Sequence, residues 1–147
     1  MEAEAAYRIF HGVFFQVFVP ADWEQEIIEN IPCFFDPDGA GALQLAATRR
    51  DAEEAFDPAE ELRYYLEKNG VEYAEDRVAL YHTPQGALAA ACEYRRDGRF
   101  WMVQMIAEGR RMIVALYNAD ATPDEELARE LSVILSSIRF SEEAARR

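Results

Sequence analysis

The sequence predicts an α+β fold, an antiparallel β-sheet with two main helices packed on it, and three observations lead there. Ala87–Tyr117 holds three apolar segments joined at Asp97-Gly98 and Glu108-Gly109, each placing Gly second, where a type I′ hairpin turn needs positive φ. Asp57-Pro58-Ala59-Glu60 and Thr122-Pro123-Asp124-Glu125 share one grammar: N-cap, Pro at N1 and Glu at N3. The order is strands, a helix, a four-stranded meander and a final helix, without the βαβ alternation of a doubly wound sheet.

The N-terminal third reads as strands over Tyr7–Phe10, Val13–Val19, Glu24–Ile28, Cys33–Asp36 and Leu43–Thr48. Prolines punctuate it: Pro20 closes one run, Pro32 opens another, and Pro37 sits in the turn Asp36-Pro37-Asp38-Gly39. The first helix runs from its Asp57 cap to Asn69-Gly70, with Gly70 as the C′ glycine and Leu62, Tyr65 and Leu66 as its apolar stripe. Arg77–Thr83, Leu88–Arg95, Phe100–Ile106 and Met112–Asn118 make the meander, with Pro84 in its first turn. The second helix aligns Leu127, Leu131, Ile134, Leu135 and Ile138 on one face. At 147 residues this is one domain, 1–147, with an ordered core over about 7–140 and frayed tails at Met1–Ala6 and Ser141–Arg147.

A formal net charge of −13 repels phosphate backbones and anionic lipid, so neither nucleic acid nor a membrane surface is an expected partner. A basic or apolar partner is favoured instead. No apolar run is long enough to span a bilayer. The acidic start Met1-Glu2-Ala3-Glu4 leads into no signal-peptide pattern, which predicts a cytoplasmic chain. The two cysteines, Cys33 and Cys92, lie in apolar strand patterns and read as reduced, buried thiols.

The two glycine turns set the register of the meander. Around the first, Arg96–Arg99, Arg95–Phe100, Tyr94–Trp101, Glu93–Met102 and Cys92–Val103 pair; around the second, Met105–Met112, Gln104–Ile113, Val103–Val114, Met102–Ala115 and Phe100–Tyr117. One face then carries Cys92, Tyr94, Trp101, Val103, Met105 and Val114, uncharged, and is expected to be the main core face. The other carries Glu93, Arg95, Phe100, Met102, Gln104 and Tyr117, apolar with polar insertions. The near-continuous apolar run Phe100–Ile106 suggests that something covers both faces, with one helix on each as a simple arrangement.

Three short motifs carry a family resemblance. Val19-Pro20-Ala21-Asp22-Trp23 resembles the Pro-x-x-Trp that follows the first strands of PsbP-like domains, with Asp22 where glycine often precedes the Trp. Gly39-Ala40-Gly41-Ala42-Leu43-Gln44-Leu45 is similar to their next, glycine-led strand. Leu135-Ser136-Ser137-Ile138-Arg139-Phe140 resembles their C-terminal helix ending. The match runs from Tyr7 to Phe140. The resemblance implies an α/β/α sandwich of the PsbP-like or DcrB-like superfamily, which includes Eag-type effector chaperones and a Ran-binding factor. Those proteins bind other proteins and bring no catalytic residues with them.

The chemical candidates are sparse. His11 and His82 have no Cys, His or Asp at ligand spacing, and Cys92 on the core face is a poor nucleophile. Asp36-x-Asp38 lacks the fifth- and twelfth-position ligands of a calcium loop, where Ala40 and Ala47 stand. Arginines gather at both ends of the meander, Arg95, Arg96 and Arg99 at one and Arg110 and Arg111 at the other. They either neutralise the chain's own carboxylates or receive an acidic partner. No catalytic residue, metal or cofactor is expected. The expected function is non-enzymatic binding of another protein, as a cytoplasmic chaperone, adaptor or immunity-type protein. The alternative is a small-molecule or lipid-binding domain with a pocket between sheet and helix. The recognition surface is expected at Glu93, Arg95, Phe100, Met102, Gln104 and Tyr117, whose aromatic, Met and Arg content matches interface cores. The competing reading is that the Asp57–Asn69 helix covers that face. Oligomeric state is not legible.

Overall fold

The computed structural model describes residues 6–39, 41–51 and 53–141. The expected frayed tails lie outside the described residues except for Ala6 and Ser141. The fold is α+β, with two α-helices and antiparallel strands in two sheets. The strands are β1 (Tyr7–His11), β2 (Phe15–Pro20), β3 (Glu24–Ile28), β4 (Ile31–Phe35), β5 (Gly41–Arg49), β6 (Ala79–His82), β7 (Leu88–Arg96), β8 (Arg99–Glu108), β9 (Arg111–Ala119) and β10 (Arg139–Phe140). The helices are α1 (Pro58–Lys68) and α2 (Glu125–Ser136). A three-stranded sheet runs β1-β2-β10, and a seven-stranded sheet runs β3-β4-β5-β9-β8-β7-β6.

The α1 boundaries follow local rules. Asp57 caps the start, its carboxylate accepting from the Ala59 N–H at 3.1 Å, with Pro58 at the first helical position. At the other end Gly70 has φ +77°; its N–H donates to Glu67 O, and the Val71 N–H donates to Leu66 O at 2.8 Å. That pair of bonds is the Schellman motif, and Val71 packs into the same cluster as Leu66.

The start of α2 departs from expectation. Asp124, not Thr122, is the N-cap, its carboxylate accepting from the Leu127 N–H at 2.9 Å. A carboxylate is the better partner for the positive end of the helix, and the Thr122 hydroxyl instead accepts from Arg95. The helix also stops at Ser136. Arg139–Phe140 pairs with Gln16–Phe15 of β2, and beyond that short strand the Phe18 N–H donates to Ser137 Oγ at 2.9 Å. Edge pairing thus satisfies backbone groups that another helical turn would have left unpaired to β2.

The first meander turn is as expected: Asp97 and Gly98 both have positive φ, and all five expected pairs form, from Arg96↔Arg99 to Cys92↔Val103. The rings of Tyr94 and Trp101 stack at 6.2 Å. The second turn is corrected. Its central residues are Gly109-Arg110, with Glu108 opposite Arg111 and Gly109 at φ +65°. A type II′ turn needs its glycine first, and that choice moves every β8–β9 partner by two residues. Met102 therefore faces Tyr117, and Phe100 faces Ala119. A two-residue shift leaves each side chain on its expected face, because the strand period is two.

Two cores result, one on each face of the large sheet. α1 covers one: Leu62 and Leu66 pack on Ala90, Cys92, Val103, Met105 and Met112. The other joins Phe34, Leu43, Phe100, Ile106, Ile113 and Tyr117 to β2 and to the buried stripe of α2, Leu131, Ile134 and Leu135, followed by Ile138. This second core is the larger, which reverses the expectation that the uncharged face is the main one. Of the polar insertions on that face, Gln104 is half-buried and Glu93 and Arg95 are exposed.

Candidate functional site

Of the six residues expected to form a recognition face, Phe100, Met102 and Tyr117 are core, at 5%, 8% and 2% exposure. The rings of Phe100 and Tyr117 meet edge-on at 6.3 Å. Burial, followed by the nearby Asp120 carboxylate, pushes the Tyr117 hydroxyl above its ordinary range. Arg95 is exposed, and its Nη1 donates to Thr122 Oγ1 at 2.8 Å. The face is thus covered, as the competing reading had it, but the cover is α2 with β2 rather than α1.

The cover is incomplete toward β6. A cavity of about 280 Å³ lies between α2 and the sheet, with Phe100, Met102, Leu131 and Leu135 as apolar lining and Glu93 and Gln104 as polar groups. A second opening of about 440 Å³ adjoins it at the β6–β7 margin, bounded by Asp76, Arg77, Ala79 and Ala91. Both are lined by Glu93, Met102 and Gln104, so the two openings adjoin across these residues and together form a groove. Strand alternation puts these residues there: Glu93 sits opposite Met102 in the β7–β8 register, and Gln104 follows two residues along the same face. Tyr81 of β6 fixes the floor, its hydroxyl donating to Gln104 Oε1 at 2.6 Å. Burial raises the Tyr81 hydroxyl, and that hydrogen bond partly offsets the effect.

The structure therefore brings together Glu93, Phe100, Met102 and Gln104, and leaves Arg95 and Tyr117 outside the groove. Sequence reasoning missed Tyr81 and the α2 wall, Ala128, Ser132 and Ser136. The one available signal was the four-residue spacing of those three small residues beside the apolar stripe.

The remaining candidates have ordinary surroundings. Burial raises the Cys92 and Cys33 thiols, which disfavours the nucleophilic thiolate; both are free. His11 and His82 are exposed on separate sheets. The Asp36 carboxylate accepts from the Asp38 N–H at 3.0 Å, closing a turn. Among the described residues no group of three or more His, Cys, Asp or Glu could hold a metal, and no helix is long and apolar enough to cross a membrane. Arg96 and Arg99, paired across the hairpin, are held by the chain itself: Arg96 donates to Asn69 O, and Arg99 donates to Asn118 Oδ1. Arg111 lies 5.7 and 5.4 Å from the rings of Phe14 and Phe140 and pairs with Glu108 at 3.1 Å.

No family model matches the chain, and no curated protein does. Among solved structures, the chain is similar to a protein from Bacteroides thetaiotaomicron VPI-5482, with a TM-score of 0.61 at 17% identity. The likeness covers 99% of this chain and 52% of that one, so the chain spans about half the length of that neighbour. At this identity the likeness concerns the fold alone.

Proposed function

We propose that this chain is a non-enzymatic protein-binding domain of PsbP-like type, and that the groove beside α2 receives the partner. The observation that carries this reading is the continuity of the two openings through Glu93, Met102 and Gln104. Adjoining openings with apolar and polar lining suit a polypeptide segment, which needs buried anchors and satisfied backbone groups together. The three sequence motifs support the PsbP-like assignment, and the acidic charge suits a cytoplasmic chaperone, adaptor or immunity-type role. A photo-crosslinking amino acid at Ser132, exposed on the α2 wall, tests the reading in the native host. A protein adduct from position 132, lost when Glu93 is replaced by Lys, supports it; adducts insensitive to Glu93 retire it.

A second reading rests on the enclosed end of the groove. About 280 Å³ lined by Phe100, Met102, Leu131 and Leu135 suits a small apolar ligand. Native mass spectrometry of the purified chain would reveal such a ligand as an added mass that Ser132→Arg removes.

A further inference from the structure

We infer that the groove recognises an arginine side chain on its protein partner, with Glu93 as the acceptor and the Tyr81 ring as the platform; this rests on protein docking in that groove. Glu93 is exposed where the two openings adjoin, and its carboxylate makes no hydrogen bond or ion pair among the described residues. The basic residues nearest to it along the hairpin are already engaged. Arg95 is held by Thr122, Arg96 by Asn69 and Asp97, and Arg99 by Asn118. Arg77 and Asp76, adjacent in one short turn, line the same opening as Glu93, so that opening holds two carboxylates and one guanidinium. What remains is an excess of one negative charge beside apolar and aromatic surface, in a chain of net charge −13.

That combination is selective for a guanidinium. Its planar fork can meet both oxygens of a carboxylate, and it stacks on an aromatic face at low desolvation cost, whereas an ammonium is a compact and strongly hydrated charge. Tyr81 is 39% exposed, and its hydroxyl is tethered to Gln104, which holds its position at the groove floor. Met102, opposite Glu93, offers apolar surface to the aliphatic stem.

The probe is a short, flexible Gly/Ser peptide with one central arginine, paired with the same peptide carrying neutral citrulline. In NMR titrations the arginine peptide is expected to shift signals of Tyr81, Glu93 and Gln104 and to bind about tenfold more tightly than the citrulline peptide. Glu93→Gln is expected to erase that preference. Glu67→Gln, the same charge change on the exposed side of α1, is expected to preserve it. Equal binding of the two peptides, or equal losses from Glu93→Gln and Glu67→Gln, overturns the inference in favour of the diffuse acidic field. Shifts confined to Ser132 and Ser136 of α2 overturn the arginine assignment while leaving protein docking in place. Failure of the Ser132 crosslink would remove docking itself.

Discussion

The two faces of the seven-stranded sheet are covered in different ways. On one face a single helix, α1, lies over β7 and β8 and seals a compact core around Leu62 and Leu66. On the other, two separate pieces share the work: the small β1-β2-β10 sheet and α2. The second arrangement gathers the larger cluster of buried residues, yet it leaves a groove where α2 stops short of β6. A cover made of two pieces, each docked by its own stripe, produces concavity without any residue being unusual. The recognition site proposed here is a consequence of that incomplete layer.

The largest test of the contrast is the face that α2 and the small sheet cover. Phe100→Ala and Tyr117→Ala are each expected to destabilise the protein by about 3–5 kcal/mol in denaturant unfolding. A cost under about 1 kcal/mol would show that α2 and the small sheet do not seal this face. Leu62→Ala on the opposite face is expected to cost about 2–5 kcal/mol, which places the two cores on one scale.

Next come the helix starts, where the two covers are anchored. Asp57→Ala and Asp124→Ala are each expected to cost about 1 kcal/mol, because each carboxylate accepts from a backbone N–H. Thr122→Ala should cost less than Asp124→Ala; the reverse order would return the α2 cap to Thr122.

A pH experiment separates the faces more finely. Burial, then the neighbouring Tyr65 and Cys92, pushes the Tyr94 hydroxyl on the α1 face from 10.0 up to about 12. The neutral phenol is the form the fold prefers, so its contribution is fully present below pH 10 and is lost between about pH 10 and 12. Tyr94→Phe is expected to flatten the fall of Tm across that window; an unchanged slope would mean that other tyrosines govern alkaline unfolding.

The smallest expected effect is at Glu130 on α2. Burial, followed by Asp22, Asp36 and Glu126, holds its carboxyl above the usual carboxylate range. The fold therefore favours the neutral form, and that preference is lost as pH rises through the raised value. Glu130→Gln, neutral at every pH, is expected to raise Tm slightly at pH 7 and to change nothing in acid. A lower Tm at pH 7 would show that the charge on α2 helps it dock.

Much of this was legible in the sequence because its rules are local. Asp57, Pro58 and Gly70 bound α1 through a side-chain cap, a preset φ and a backbone bond, each acting within a few residues. Asp97-Gly98 fixed five strand pairs, because a two-residue turn leaves no freedom in register. The exceptions were local competitions: Asp124 over Thr122 for the α2 cap, and Gly109 in the first rather than the second turn position. Each was won by the group with the better electrostatics or the lower backbone cost. The candidate site was half legible. Glu93, Phe100, Met102 and Gln104 share a face by alternation alone, but whether that face was open depended on where distant elements landed.

By itself, then, the sequence determined the α+β class, the α1 boundaries, the first hairpin register and the side chains that share each face of β7–β8. Those follow from turn chemistry, capping and a period of two, which act over fewer than about ten residues. Tertiary structure alone decided that α1 takes the uncharged face and that α2 takes the other with the small sheet. It also decided that Arg139–Phe140 leaves the helix for β2, and that the cover ends before β6. Two amphipathic helices with similar stripes carry no local mark of the face they will cover. The choice belongs to long-range packing, in which the shape and area of every other element compete at once.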